Sequence, residues 1–164
     1  MLWLYLLGIA TFLVIALRRV LRRQKPLSDE LYAKKIAIDH VHSGIAWVPE
    51  DGKLGWFNPA FPEVLRLTST DLIGRDWYEI FAADEHQRMR EAYRQMLLMG
   101  KVSLQARGLR ANGTLAWFDV LLVAVHDHRT RFVGHHCVIE DRTRERALEK
   151  RLDELTHSTQ HACA

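Results

Sequence analysis

The sequence predicts an α+β fold: five antiparallel strands with helices against one face, one membrane-spanning helix before them and one short helix after them. Three observations carry this. Two short apolar runs flank Asp51-Gly52 and lead into Asn58-Pro59. That order reads as strand, tight turn, strand and capped helix, because Asp-Gly accepts the positive φ of a hairpin turn, Asn caps and Pro suits the first helical position. Three strand-length runs close the domain, the first two joined at Asn112-Gly113, another hairpin turn. Between the two groups of strands, apolar residues recur at helical spacing.

At 164 residues and 48% hydrophobic content, the chain holds one ordinary domain and a short accessory segment. The formal charge of +3 is unevenly spread: Arg18, Arg19, Arg22, Arg23 and Lys25 precede Pro26, while all 20 acidic residues follow it. The part after Pro26 is therefore slightly acidic. A nucleic-acid footprint, which needs basic residues gathered on the folded part, is excluded. Cys137 and Cys163 have neither the spacing of a metal site nor that of a disulfide framework.

Taken in order, Leu2 to Leu17 carries no charge and runs straight into the arginine pairs. A secretory signal peptide has the reverse polarity. Residues 1–25 are read as a transmembrane anchor with a basic juxtamembrane segment, long enough to cross if Arg18 and Arg19 snorkel to the headgroups. The positive-inside rule then puts the following domain in the cytoplasm, on a single-pass protein of the inner (cytoplasmic) membrane. Residues 26–42 form a connecting helix, started by Ser28 with Asp29 and Glu30 and offering Leu31, Ile38 and Val41 to the domain. The domain itself is residues 43–141. After its first hairpin come a helix from Asn58 to Arg66, a second opened by the capping box Thr68-Ser-Thr-Asp71, and Trp77, Ile80 and Phe81 at helical spacing. The longest helix starts at Asp84 and ends at Gly100, with Met89, Tyr93, Met96 and Leu97 as its apolar stripe. Strands follow over 102–110, 114–126 and 131–140. Val120 to Val125 is apolar on both alternations and calls for cover on both faces. Residues 142–164 form an exit helix and tail, where Leu148, Leu152 and Leu155 have the spacing of a coiled-coil seam.

The pieces Glu50-Asp51-Gly52-Lys53, Asn58-Pro59-Ala60-Phe61, Asp71-Leu72-Ile73-Gly74-Arg75, Asn112-Gly113-Thr114 with Trp117, and Asp141-Arg142-Thr143-Arg144-Glu145-Arg146 resemble, in order and spacing, the PAS domain family of sensory modules. The resemblance covers about Leu31 to Leu155. It implies the strand order 2-1-5-4-3, a small ligand pocket between sheet and helices lined by some of Phe57, Phe61, Trp77, Phe81, Met89, Tyr93 and Phe118, and signal relay through Asp141, Thr143, Leu148, Leu152 and Leu155. It also implies a homodimer or a downstream signalling domain as partner, as in two-component systems. The alternatives are a dimerisation or protein-interaction module without a ligand, and the front of a longer histidine kinase or diguanylate cyclase. Two positions depart from the family pattern: Arg142 replaces an apolar residue, and Arg66 stands where many members carry Gly.

The sequence holds no nucleophile with a base, no phosphate loop and no paired-carboxylate motif, and so no enzyme chemistry is expected of it. The nine histidines hold no metal-ligand pattern. His126 and His135 fall about 13 Å apart along the last hairpin, and His135 and His136 point to opposite faces. His86 is the one candidate haem ligand and is read instead as a solvent-facing helix residue. Ile73-Gly74-Arg75 is followed by Asp-Trp-Tyr without a cysteine, which speaks against flavin photochemistry.

Overall fold

Five strands pair antiparallel in the order β2-β1-β5-β4-β3: β1 Gly44–Pro49, β2 Trp56–Phe57, β3 Lys101–Leu109, β4 Leu115–His126 and β5 Phe132–Asp141. This computed structural model describes residue 3 and residues 30–162, with side chains through 155. The chain divides into two units, Met1–His40 and Val41–Ala164. In the first unit, α1 covers 30–39. A Lys34–Glu30 ion pair of 2.7 Å braces its surface, and the His40 ring bonds the Ile36 carbonyl at 2.8 Å in the last turn. Leu31 and Ile36 on it are exposed. The anchor expected over 1–25 lies outside the described residues apart from Trp3. Among the described residues no helix is long and apolar enough to cross a membrane.

In the second unit, the Asp51-Gly52 turn forms with Gly52 at φ 75°, its N–H donating to the Pro49 carbonyl. The returning arm is shorter than the sequence suggests. Only Trp56 and Phe57 pair with β1, because Leu54 turns into the core and its backbone bonds Gly74 and Arg75 instead. Asn58 is fully buried and does more than cap. Its Oδ1 accepts from Phe61 N at 3.2 Å and Ile45 N at 2.8 Å, and its Nδ2 donates to the Ser43 carbonyl, so one amide pins α2 (Ala60–Leu65) to β1. Arg66 ends α2 at φ 53°, ψ 39°, the left-handed conformation that glycine adopts freely, which is the physical reason for a glycine preference there.

The Thr68/Asp71 capping box is present and starts α3, Ser69–Leu72. Trp77–Ile80 and Ala83–Glu85 are 3-10 turns, and α4 runs over His86–Met99, ending at Gly100 with φ 81°. The expected start at Asp84 is displaced because Asp84 and Glu85 both pair with Arg107 on β3, tying the approach to α4 to the sheet. The buried stripe of α4 is Met89, Ala92 and Met96, whereas Leu97 is exposed. It follows Met96 by one residue and so points about 100° away from it around the helix.

The core lies between the helices and one face of the sheet, on Ala46, Val48, Ala106, Phe118, Val120, Leu122, Cys137 and Ile139. Gly108 admits Phe118: a Cβ there would come within 2.0 Å of the Phe118 ring. On the opposite face Leu121, Val123, Ile45 and Val138 are half-buried.

Candidate functional site: an aromatic core and the exit junction

The seven expected ligand-lining residues belong to, or pack against, one core cluster. Phe61, Trp77, Phe81, Met89 and Phe118 are buried in the core cluster, and Phe57 and Tyr93 pack against it half-buried. Two ring groups result. Phe57 and Phe61 stack at 5.8 Å. Trp77 is the hub of the other, with ring centroids 6.3 Å from Phe81 and 6.1 Å from Tyr93. The cluster they form is apolar and aromatic.

Sequence reasoning missed the polar member of this group. His135 is 1% exposed, with its ring 5.1 Å from Trp77 and 5.3 Å from Tyr93. Its signal was its register: it lies two and four residues before Cys137 and Ile139, on the alternation that faces the core. Burial, with a smaller contribution from His136, pushes its pKa down to about 4, so the ring is neutral at physiological pH. Burial also raises the Tyr93 phenol, aided by Glu50, and pushes the Cys137 thiol up to about 12, which removes it from thiolate chemistry.

Three further histidines of the domain are held in ordinary surroundings. His86 is not solvent-facing: it is half-buried, with its Nε2 3.1 Å from the Phe81 carbonyl and its ring 5.2 Å from Tyr78. His136 lies on the other face against Trp47 at 5.2 Å. A bulge at Val125/His126 sets His126 opposite Phe132 rather than Arg131. Among the described residues no three potential ligands converge on a metal position.

The second part of the site is where β5 becomes α5, Thr143–Ala162. Two of the expected relay residues, Asp141 and Thr143, meet here. Asp141 Oδ1 accepts the Thr143 N–H at 2.9 Å, as a cap would, and pairs with Arg110 across the sheet. Thr143 Oγ1 accepts the Trp117 N–H at 3.0 Å, and the Arg142 N–H donates to the Trp117 carbonyl at 2.8 Å. Trp117 is thus bonded on both backbone groups to the first residues of the exit. Burial alone would raise the Asp141 carboxyl, but the Thr143 and Arg110 hydrogen bonds outweigh it and hold it below the usual carboxylate range.

Arg142, in place of an apolar residue, packs by charge: it pairs with Asp119 at 3.0 Å and Glu140 at 3.4 Å. One turn on, the Arg146 guanidinium lies 4.0 Å over the Trp117 ring and bonds Gln105. These groups border a cleft of about 860 Å³ between α5 and the sheet. Leu148, Leu152 and Leu155 continue along α5 at 51%, 63% and 66% exposure.

A five-stranded antiparallel sheet in this order, with helices on one face and a helix leaving the last strand, defines the class of fold. The sequence model of the PAS domain family matches residues 42–144, more than half of the chain, and the chain belongs to that family. Three solved structures are similar. A PAS domain from Colwellia psychrerythraea has 17% identity and a TM-score of 0.66 over 70% of this chain and 98% of its own. The PAS domain of a LuxR-family transcriptional regulator from Burkholderia thailandensis, solved in complex with ethanol, has 25% identity and a TM-score of 0.56 over 65% of this chain and 95% of its own. A PAS domain from a two-component sensor histidine kinase has 9% identity and a TM-score of 0.58 over 70% and 97%. The comparison with curated proteins found no match.

Proposed function

We propose that this PAS domain is an input module that takes a small ligand among Phe57, Phe61, Trp77, Phe81, Met89, Tyr93 and Phe118 and passes its presence to α5. The observation that carries this reading is continuity along β5, whose inward row runs His135, Cys137, Ile139 and then Asp141. One strand joins the aromatic core to the residue that fixes the start of α5. The ethanol held by the Burkholderia relative supports a small neutral ligand.

The same reading includes a tether and a partner. The uncharged run from Leu2 to Leu17 and the arginines after it support a single-pass anchor in the cytoplasmic membrane with the PAS domain in the cytoplasm. A reporter fused after Ala164 then reads as cytoplasmic, and moving the Arg18–Arg23 charges to the N-terminus weakens or inverts that result. A periplasmic signal from the unmodified chain defeats the tether.

The exposed Leu148, Leu152 and Leu155 favour pairing of α5 with a second copy, or its continuation into a signalling output such as a histidine kinase or diguanylate cyclase. They equally favour a second reading, a pairing module without a ligand. Native mass spectrometry of the full chain from its own host separates the two. Added mass on the polypeptide supports the ligand reading, and a bare mass with retained pairing supports the second.

A further inference from the structure

We infer that His135 is the polar anchor of the ligand site in the PAS core, and that the ligand is a small neutral molecule carrying a hydroxyl group on an apolar or flat body. This rests on the reading that the core takes a ligand. His135 is 1% exposed, and neither Nδ1 nor Nε2 has a hydrogen-bond partner. A neutral imidazole has one N–H donor and one lone-pair acceptor, and buried polar groups in native proteins are paired because leaving them unmatched is costly. The aromatic neighbours do not supply both needs. Trp77 and Tyr93 lie with ring centroids at 5.1 and 5.3 Å and planes tilted by 81° and 66°, and neither the indole N–H nor the phenol O–H bonds a His135 nitrogen. A hydroxyl donates and accepts, so one group satisfies either ring nitrogen.

The surroundings set the rest of the ligand. The other buried polar residues, Asn58 and Glu85, are already engaged, the first with Ile45, Phe61 and Ser43, the second with Arg88 and Arg107. They offer no counter-charge, and an unpaired ion in this core is strongly disfavoured. The ring itself stays neutral because burial holds its pKa low. Walls of Trp77, Tyr93 and Phe81 favour an apolar or planar body. Tyr93 and Phe132, half-buried and 6.5 Å apart, form the side of the site nearest solvent.

Phenol and toluene are near-isosteres that differ by hydroxyl against methyl, and a site built around a buried polar group discriminates against the analogue that leaves it unpaired. Binding of each to the full chain and to His135→Phe is measured by calorimetry. The expected result is that the unmodified chain prefers phenol by about tenfold, one hydrogen bond's net contribution, and that His135→Phe loses or reverses the preference. Equal binding of both compounds to both proteins overturns the anchor while leaving a core ligand site standing. Binding of neither to the unmodified chain defeats the ligand reading and the inference together. Should His135→Phe not fold, the ring ¹⁵N shifts of His135 in the unmodified chain decide: a shift of a ring nitrogen on phenol but not toluene supports the anchor, and unmoved nitrogens overturn it.

Discussion

The ring cluster around His135 and the exit junction sit at opposite ends of β5 and are made of opposite materials, while Phe118 of the same core pairs across the sheet with Asp141. Around His135 the contacts are ring against ring, with Trp77 and Tyr93 against the imidazole and Phe81 against Trp77, and no charge among them. Around Thr143 they are directional: Asp141 to Thr143 and Arg110, Arg142 to Asp119 and Glu140, Arg146 to Gln105 and over Trp117. Dispersion and burial tolerate a change of shape if the volume stays filled. Hydrogen bonds weaken steeply with angle and do not. On the proposed reading, a difference that the core absorbs as a small shift of β5 arrives at the junction as bonds kept or lost.

The largest expected effect breaks the aromatic core. Phe118→Ala removes a fully buried ring beneath Gly108, and denaturant unfolding should show a loss of about 3–5 kcal/mol. An unchanged midpoint would mean that Phe118 is not the core residue its burial makes it.

Next comes the acid response of His135, which faces Trp77 and Tyr93, with His136 beside it on the strand. Its pKa is about 6.5 unfolded and about 4 folded. As pH falls below 6.5 the unfolded chain takes up a proton that the folded one refuses, so stability declines until about pH 4 and then levels for this group. The span amounts to about 3 kcal/mol. His135→Phe should flatten that limb. Asp141 titrates below it, its carboxyl being depressed, and its contribution is lost only at still lower pH.

The structure bears out the elements with strong local chemistry. Asn112-Gly113 and Asp51-Gly52 turn where expected, the Thr68 box starts its helix, and period-two alternation assigns the inner face of β4. What stayed hidden was decided by residues far away in sequence. β2 stops at two residues because Leu54 is claimed by the core and by Arg75. Arg142 looks misplaced until Asp119, 23 residues earlier, is seen beside it. For His135 the sequence excludes a metal shared with His126, while the strand register sets it among the core residues. Asn58 was legible as a cap but not as the bolt to β1, since Ile45 and Ser43 meet it only through the fold.

Two smaller effects sharpen the directional end. Leu152→Asp on exposed α5 should weaken self-association of the chain in sedimentation by an amount corresponding to one buried leucine, about 1.5–3 kcal/mol, with little change in melting. A lower melting temperature at unchanged mass would place this leucine in the protomer's own fold. Thr143→Val keeps the shape and leaves the Trp117 N–H without its acceptor, for a loss of about 1–2 kcal/mol. Far-UV spectra should retain α5, because Asp141 still accepts at its start.

The most direct test of transmission is amide hydrogen exchange on the full chain with and without phenol, followed at the core strands and over 143–155. The account predicts slower exchange at β5 when phenol binds, together with altered exchange at Thr143 to Ala147, and loss of the second effect but not the first in Thr143→Val. Phenol-dependent protection of β5 with the start of α5 unmoved would contradict it.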